Sequence, residues 1–291
     1  MKLVARPLCA DVSAESGEPL AATASRIEHW LLVEYRGLWA PHPLAGSTLP
    51  AEVKSHLTEQ LARLPRSRLL FIRRPDRRRR RGLACFHAHT RERGSSLSLL
   101  ELESHEELLD VDVTAAPGRP LDHPLFLVCT HGKRDRCCAR YGRPLYDALC
   151  EVAEDDRVWQ TTHVGGDRFA GNLVCLPEGL YFGRVGPGDA WQVLEELLAR
   201  RIHLDRYRGR SCYPFPVQAA ERAVREATGR TGVGDLRLSG VERSGDASWR
   251  VAFAVDGEVR ETEVREELGD YTYLTCSSDT LRRPRRLAAT A

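Results

Sequence analysis

The strongest constraint on the fold is an order of apolar runs in the second half of the chain. "PLFLVC" from residue 124 has the composition of a buried strand, a helical pattern follows over residues 143–153, and "RVWQTT" predicts the next strand. "NLVCLPEGLYFGRV" then predicts a hairpin that turns at residues 177–179, and residues 189–201 predict a closing helix with one apolar face. A strand, a helix and a second strand in this order predict parallel pairing within an α/β fold.

The first third of the chain repeats this order. "WLLVEYRG" aligns with "LFLVCTHG", a helical pattern follows each of them, here over residues 50–64, and then "RLLFIRRP" aligns with "RVWQTTHV" and "GLACFHA" with "GNLVCLP". We interpret the pattern as a degenerate internal duplication, although two unrelated α/β segments can also align this well. In this alignment Glu34 stands where Cys129 stands in the second copy, so the candidate chemistry belongs to the second copy.

A third segment begins beyond residue 208. "YPFPVQAAERAVREATG" predicts a helix with proline near its start and Gly229 at its end, and a three-stranded meander is expected after it. This segment is short and polar, so we expect it to lack a large core of its own and to pack on the preceding unit. The tail "LRRPRRLAATA" is expected to be disordered.

Two loops of the second copy carry side chains that a hydrophobic core does not require. The first loop leaves its strand at Cys129 and reaches Cys138 as it enters a helix, and the second runs from His163 to Asp167. Because the two strands are expected to be parallel, both loops open at the same carboxyl end of the sheet. Thiolates and imidazoles bind soft metals and iron–sulfur centres, so Cys129, Cys138 and His163 predict such a centre.

The residues around these donors suit a thiolate-ligated centre. Gly165 and Gly166 lack the Cβ that would keep the backbone away from a bulky inorganic core. Cationic side chains would offset the negative charge of the thiolates, and the two loops supply Lys133, Arg134, Arg136 and Arg168. The alternative interpretation is a basic loop whose buried cysteines have no shared role.

Composition limits the possible partners and the compartment. The 43 basic and 41 acidic residues leave a net charge of +2, which provides no general attraction for a polyanion. No apolar run approaches the ~18 residues that a membrane helix needs, and the N-terminus lacks a signal-peptide pattern, so we expect a cytoplasmic protein. In that reducing compartment the nine cysteines are expected to be thiols or metal ligands, and an odd number cannot all pair.

Two stretches carry a resemblance to a known family. "LVCTH" with "CCARYG", and then "THVGGDRFAGNLVCLPEGLYFGRV", resemble the sucrase/ferredoxin-like family, whose second half is similar to the thioredoxin-like [2Fe–2S] ferredoxins. The resemblance is specific over residues 124–200 and looser over residues 1–110. It implies an α/β chain with a degenerate thioredoxin-like unit at 1–120, a thioredoxin-like ferredoxin domain at 121–208, and a small α+β extension with a helix, a β-meander and a tail at 209–291.

The same resemblance implies a set of cluster ligands. The first is Cys129, and the second is Cys138, the cysteine that precedes alanine, rather than Cys137. The second pair is Cys-x-x-x-Cys in the ferredoxins and His-x-x-x-His in fungal members, and these positions read His163 and Asp167 here. Four outcomes stay open: Asp167 completes a [2Fe–2S] cluster, Cys137 replaces it, an outside ligand fills the position, or the site is empty. Zinc is a further alternative, because it accepts two thiolates, an imidazole and a carboxylate.

The function that the resemblance implies is one-electron transfer by a [2Fe–2S] cluster, with a redox partner protein as reductase or acceptor and no substrate turnover. A thiol-dependent oxidoreductase is the main alternative, although the sequence has no Cys-x-x-Cys. A hydrolase has no support, because no Gly-x-Ser-x-Gly elbow occurs. The dense basic run "RRPDRRRRRG" at residues 73–82 is interpreted as a solvated hairpin tip rather than a nucleic-acid site.

Overall fold

The first half of the protein follows the expected order of strands and helix. The computed structural model describes residues 7–74, 81–154 and 156–290. The elements of this half are α1 (Cys9–Glu15), β1 (His29–Glu34), α2 (Ala51–Ala62), β2 (Ser67–Arg73), β3 (Leu83–His89) and β4 (Ser96–Leu102). The helix expected over residues 50–64 is confirmed, whereas no sequence pattern had indicated α1.

The second half carries the same order, with a longer first helix and a further helix near its end. Its elements are β5 (Arg119–Pro120), β6 (Leu125–Cys129), α3 (Arg136–Val152), β7 (Val158–Thr161), β8 (Leu173–Leu176), β9 (Leu180–Phe182), α4 (Ala190–Leu198) and β10 (Tyr207–Arg210). Helix α3 begins well before the expected start at residue 143, so Cys137 and Cys138 lie in its first turn. Asp135 caps this helix by accepting a hydrogen bond from the backbone N–H of Cys137 at 2.8 Å.

Strands β1 to β10 form one sheet in the order β10-β9-β8-β6-β7-β2-β1-β3-β4-β5. Each half contributes four strands in the same arrangement, β7-β6-β8-β9 and β2-β1-β3-β4, with the first pair parallel and the others antiparallel. This is the strand order of the thioredoxin-like fold. The expected fold class is therefore confirmed: an α/β thioredoxin-like unit follows a degenerate copy of itself.

The two halves meet where β2 pairs with β7 in antiparallel orientation. Ile72 is opposite Thr161, and these two residues occupy the same position in the aligned repeats. A strand residue that pairs with its own repeat equivalent places a pseudo-twofold axis at that point. The repeat is thus expressed in the geometry of the sheet and is not a chance similarity of sequence.

The alignment of the third strands of the two copies is wrong by one residue. Cys85 pairs with Val33, and the equivalent of Val33 in the second copy is Val128. Val128 pairs with Leu173, so Cys85 corresponds to Leu173 and not to Val174. Both strands are apolar throughout, and such a strand shows no alternation that would set its register.

The sheet curls so that its two faces pack into different cores. One face encloses a core shared by both halves, which includes Trp30, Leu32, Leu127 and Trp159. On the other face α2 covers residues of the first half, and α3 and α4 cover residues of the second half. Because the central strands are buried on both sides, they are continuous apolar runs.

The C-terminal segment forms a separate sheet with its own core. Its elements are α5 (Phe215–Thr228), β11 (Arg237–Gly245), β12 (Ser248–Val255), β13 (Glu258–Leu268) and β14 (Arg285–Thr290), with the strands in that order. The expected three-stranded meander is confirmed as β11 to β13. The expectation of a disordered tail is wrong, because residues 285–290 pair with β13 as a fourth strand. The expectation that the segment lacks a large core of its own is also wrong, since Val217, Val251, Phe253 and Val264 are buried together between α5 and the sheet.

Part of the basic run at residues 73–82 lies outside the described residues. This part is residues 75–80, so the interpretation of this run as a hairpin tip also lies outside the described residues. Among the helices that the structure describes, none combines the length and apolar character required to cross a membrane.

Gly142 shows why the first helix of the second copy needs a glycine. A Cβ at this position would overlap the backbone carbonyl oxygen of Cys129, so α3 can pack on the end of β6 only without a side chain there. Gly142→Ala is therefore expected to destabilise the protein by about 1–3 kcal/mol, the usual range for overpacking, even though alanine favours helix. The measurement is the free energy of unfolding in urea. Gly188→Ala is the matched control, because its Cβ would meet nothing within 4 Å, and an equal loss in both variants would contradict the packing argument.

His87 makes the fold sensitive to acid. Its side chain is 3% exposed, its Nε2 has no hydrogen-bond partner within the described part of the chain, and burial together with the nearby His29 and His89 lowers its pKa to about 4. Between pH 6.5 and 4 the His87 imidazole is protonated in the unfolded chain but mostly neutral in the folded chain. Folding therefore becomes less favourable as the pH falls. We expect the free energy of unfolding to drop more steeply from pH 7 to pH 4.5 in the wild type than in His87→Leu. Identical slopes would show that His87 is not the group responsible.

Candidate metal centre

Three of the candidate donors come together at the carboxyl ends of β6 and β7. Cys129 is the last residue of β6, Cys138 lies in the first turn of α3, and His163 follows β7 by two residues. One ligand atom from each of them lies within 4.8 Å of the other two. Parallel pairing of β6 with β7 brings the two loops to one edge of the sheet, as the order of the elements predicted.

Asp167 lies against two of these three donors. Its Oδ1 is 3.0 Å from His163 Nδ1 and 3.3 Å from Cys138 Sγ, and Cys138 Sγ is 3.9 Å from the same ring nitrogen. The Asp167 side chain is buried, whereas that of His163 is 22% exposed. The imidazole is therefore the side of the centre that solvent reaches.

Hydrogen bonds within the group set its charges. The neighbouring Cys138 thiol, which donates to Asp167 Oδ1 at 3.3 Å, and the His163 ring together hold the pKa of Cys129 well below its usual range. Burial by itself lowers the pKa of His163, but the hydrogen bond to Asp167 and the interaction with Cys129 outweigh it and raise this pKa to about 9. Burial raises the pKa of Asp167, but the hydrogen bond from His163, the charge of His163 and the hydrogen bond from Cys138 together outweigh burial and lower this pKa. Thiolate and carboxylate are the forms of these side chains that bind metals.

Arg208 and Asn172 hold the second loop in place, and sequence reasoning missed both. The Arg208 guanidinium is 1% exposed and donates to the carbonyl oxygen of Gly165 at 3.0 Å and to Asn172 Oδ1 at 2.7 Å. Asn172 in turn donates through Nδ2 to the carbonyl oxygen of Gly166 at 2.9 Å, and its own carbonyl accepts from the N–H of Cys129. No motif marks Arg208, because one arginine in an arginine-rich chain carries no signal.

Gly165 and Gly166 have a backbone reason for being glycine. Their φ angles are +102° and +81°, in the region that side chains disfavour, and a Cβ on Gly166 would overlap the Arg208 guanidinium. The close contacts of this glycine pair are thus with the protein itself. Their expected role beside an inorganic core stays a prediction.

The cationic residues proposed to surround the centre have different positions. Lys133 and Arg134 are exposed on the first loop, Arg136 is exposed at the start of α3, and the charge of Arg134 contributes to the lowered pKa of Asp167. Arg168 instead pairs with the buried Glu18 at 2.8 Å and lies over the ring of Phe169.

Cys137 is directed away from the three donors. Its Sγ lies 3.5 Å from that of Cys9 and 3.2 Å from that of Cys276, two cysteines to which the sequence had assigned no role. The alternative in which Cys137 replaces Asp167 as a ligand would therefore require Cys137 to leave this second group.

Family comparison agrees with the class that the fold and the donor positions define. The model of the sucrase/ferredoxin-like family matches residues 20–209, which is more than half of the chain. The protein therefore belongs to the sucrase/ferredoxin-like family.

Individual relatives match a smaller part of the chain. Altered inheritance of mitochondria protein 32 from Meyerozyma guilliermondii is 34% identical over 95 residues, which are 29% of this chain and 34% of that protein. The protein of the same name from Eremothecium gossypii is 30% identical over 106 residues, 32% of this chain and 34% of that protein. This chain thus spans about a third of the length of these curated relatives. Among solved structures, a thioredoxin-like [2Fe–2S] ferredoxin from Aquifex aeolicus is 19% identical, with a TM-score of 0.29, and the match covers 32% of this chain and 97% of that one.

Arg208→Lys tests the support of the second loop. A lysine cannot replace the four hydrogen bonds that this guanidinium gives to Thr23, Gly165 and Asn172, and buried acceptors without donors are costly. We expect the free energy of unfolding to fall by about 3 kcal/mol. Arg206→Lys is the control, because Arg206 is 34% exposed and its ion pair with Asp189 should contribute less than about 1 kcal/mol. Similar losses in the two variants would argue against a special role for Arg208.

Proposed function

We propose that this protein is a one-electron carrier that binds a [2Fe–2S] cluster through Cys129, Cys138 and His163, with Asp167 as the fourth ligand. The observation that carries the proposal is the convergence of these donors from two loops at one edge of a thioredoxin-like sheet. Membership of a family described as sucrase/ferredoxin-like supports it. Each loop supplies one pair of donors, so each of the two irons would take its protein ligands from a different loop.

The chemistry of the donors fits such a cluster. Thiolate and imidazole both ligate iron in [2Fe–2S] centres, and a bound cluster supplies reversible one-electron redox chemistry. A histidine in place of a thiolate removes one negative charge, so these residues favour a higher potential than four cysteines would. The carboxylate of Asp167 is a harder donor than the other three, and its ligation is the weakest part of the assignment.

The environment of the donors suits electron transfer better than substrate turnover. The side chains of Cys129, Cys138 and Asp167 are buried, and only that of His163 reaches solvent. A redox partner protein would approach closest at His163. The exposed Lys133 and Arg134 on the neighbouring loop and Arg136 at the start of α3 favour a partner with an acidic surface.

A single zinc ion at the same donors is the second candidate. Cys129, Cys138 and His163 offer ligand atoms within 4.8 Å of one another, and Asp167 Oδ1 lies 3.3 Å from Cys138 Sγ. Ligands of one tetrahedral ion lie this close together, whereas a two-iron core would need the two pairs to stand farther apart. Metal and sulfide analysis separates the two candidates.

The test is iron and acid-labile sulfide analysis of protein purified without oxygen. We expect about two irons and two sulfides per chain, the content of one [2Fe–2S] cluster, together with a visible spectrum. Cys138→Ser should remove the iron and the sulfide, because a hydroxyl is a poor replacement for a thiolate. Asp167→Ala should lower the cluster content if the carboxylate is a ligand. Full retention in Asp167→Ala would exclude this residue as the fourth ligand.

The control for the loss of one thiol is Cys150→Ser. Cys150 lies on α3 as Cys138 does, but on its exposed side, so this variant should keep the iron and the sulfide. A wild-type protein without sulfide, containing one zinc that Cys138→Ser removes, would contradict the cluster and establish the zinc centre instead.

A further inference from the structure

A second group of potential metal ligands lies beside the start of α3. It consists of Cys9, Cys137, Cys276 and Asp135, whose ligand atoms all lie within 4.8 Å of one another. Cys9 opens α1, Asp135 and Cys137 begin α3, and Cys276 lies between β13 and β14. None of these residues belongs to the donor set of the proposed cluster. Three segments remote in sequence thus bring three sulfurs and a carboxylate to one point.

The three sulfurs form a nearly equilateral triangle. The Sγ atoms of Cys9 and Cys137 are 3.5 Å apart, those of Cys137 and Cys276 are 3.2 Å apart, and those of Cys9 and Cys276 are 3.7 Å apart. A zinc–sulfur bond is about 2.3 Å long, so two thiolates on a tetrahedral zinc ion lie about 3.8 Å apart. The three separations are close to this value.

A disulfide would use the three sulfurs differently. It joins two sulfurs at about 2.0 Å and leaves the third outside the bond. Here no pair is bonded, and each sulfur lies at a similar distance from the other two. A single ion bound by all three sulfurs explains their similar separations. One disulfide would involve only two of the three sulfurs.

Asp135 is positioned to complete the group. Both of its carboxylate oxygens are 3.9 Å from Cys9 Sγ, and its side chain is buried. Oδ1 accepts from the N–H of Cys137 at 2.8 Å, and Oδ2 accepts from the N–H of Cys276 at 2.6 Å. These two bonds hold the carboxylate in place, and each oxygen keeps a lone pair for a metal.

Backbone hydrogen bonds also reach the sulfurs. The N–H of Ala10 donates to Cys137, and the N–H of Cys9 donates to Cys276. Such bonds stabilise thiolates that are bound to a metal.

We propose that Cys9, Cys137, Cys276 and Asp135 bind one structural zinc ion in tetrahedral geometry. Three thiolates and a carboxylate repel one another in a largely buried site, and a divalent cation would offset this repulsion. Zinc binding compensates for this by taking up the four donors, and the protons of the thiols pass to solvent. No oxidant or reductant is needed.

The ion would join both ends of the described chain to the helix that carries Cys138. Cys137 and Cys138 are consecutive, yet their side chains belong to different groups of donors. The zinc would therefore fix α1 and the segment around Cys276 against the start of α3. Loss of the ion should loosen these segments before it affects the sheet.

The experiment is metal analysis of the full chain, purified under reducing conditions, in four forms. We expect about one zinc per chain in the wild type and in Cys138→Ser, and nearly none in Cys276→Ser. Cys150→Ser is the matched control and should keep its zinc, because Cys150 lies outside both groups. Iron and sulfide are measured in the same samples. Loss of zinc in Cys276→Ser with retention of iron separates this site from the proposed cluster.

Two results would overturn the proposal. The first is a zinc content that Cys138→Ser abolishes and Cys276→Ser leaves unchanged, which would assign the ion to the other donors. The second is a wild-type protein that contains no zinc. After any bound metal has been removed with a chelator, this protein also fails to show the absorption of tetrahedral cobalt thiolate when Co²⁺ is added. The cobalt measurement uses the wild type and holds even where Cys276→Ser does not fold.

Discussion

The pairing of β2 with β7 is the interaction on which the candidate metal centre depends. It joins the two thioredoxin-like copies into one sheet, and it continues past the strand ends where Thr162 exchanges two hydrogen bonds with the backbone of Phe71. Arg68 of β2 also donates to the carbonyl oxygen of Val164 at 2.9 Å. His163 therefore lies between two residues that the first copy holds. The first copy, which carries Glu34 in place of the first cysteine, thus supports the loop that carries His163.

The start of α3 is the second feature on which the candidate centre depends, because it supplies side chains to both groups of donors. Gly142 lets the helix approach the end of β6, which brings Cys138 to Cys129, while Cys137 is directed to the opposite group. Asp135 caps the helix and touches that second group. A change at this turn is therefore expected to affect the packing of the helix and both groups together.

Much of the second copy could be predicted from sequence, because its strands are continuous apolar runs and its hairpin has a clear turn. The position of Cys138 beside Cys129 and His163 also followed from the order of the elements. Helical periodicity marked α3 only from residue 143, since the stretch before it contains two cysteines and several charges and has no such periodicity. The strand β14 could not be predicted either, because "RRLAAT" forms a strand only where the edge of β13 provides its hydrogen-bond partners.

By itself the sequence determined the α/β class, the repeated order of strand and helix, and the two loops that carry the donors. These are local properties, which follow from side-chain periodicity and turn residues along the chain. The tertiary structure alone brought Cys9 and Cys276 to Cys137. Cys9 and Cys276 come from opposite ends of the chain, and Arg208 reaches Gly165 from another strand. Contacts of this kind depend on how the sheet curls and how the terminal segments fold back on it, and no local pattern of residues encodes that.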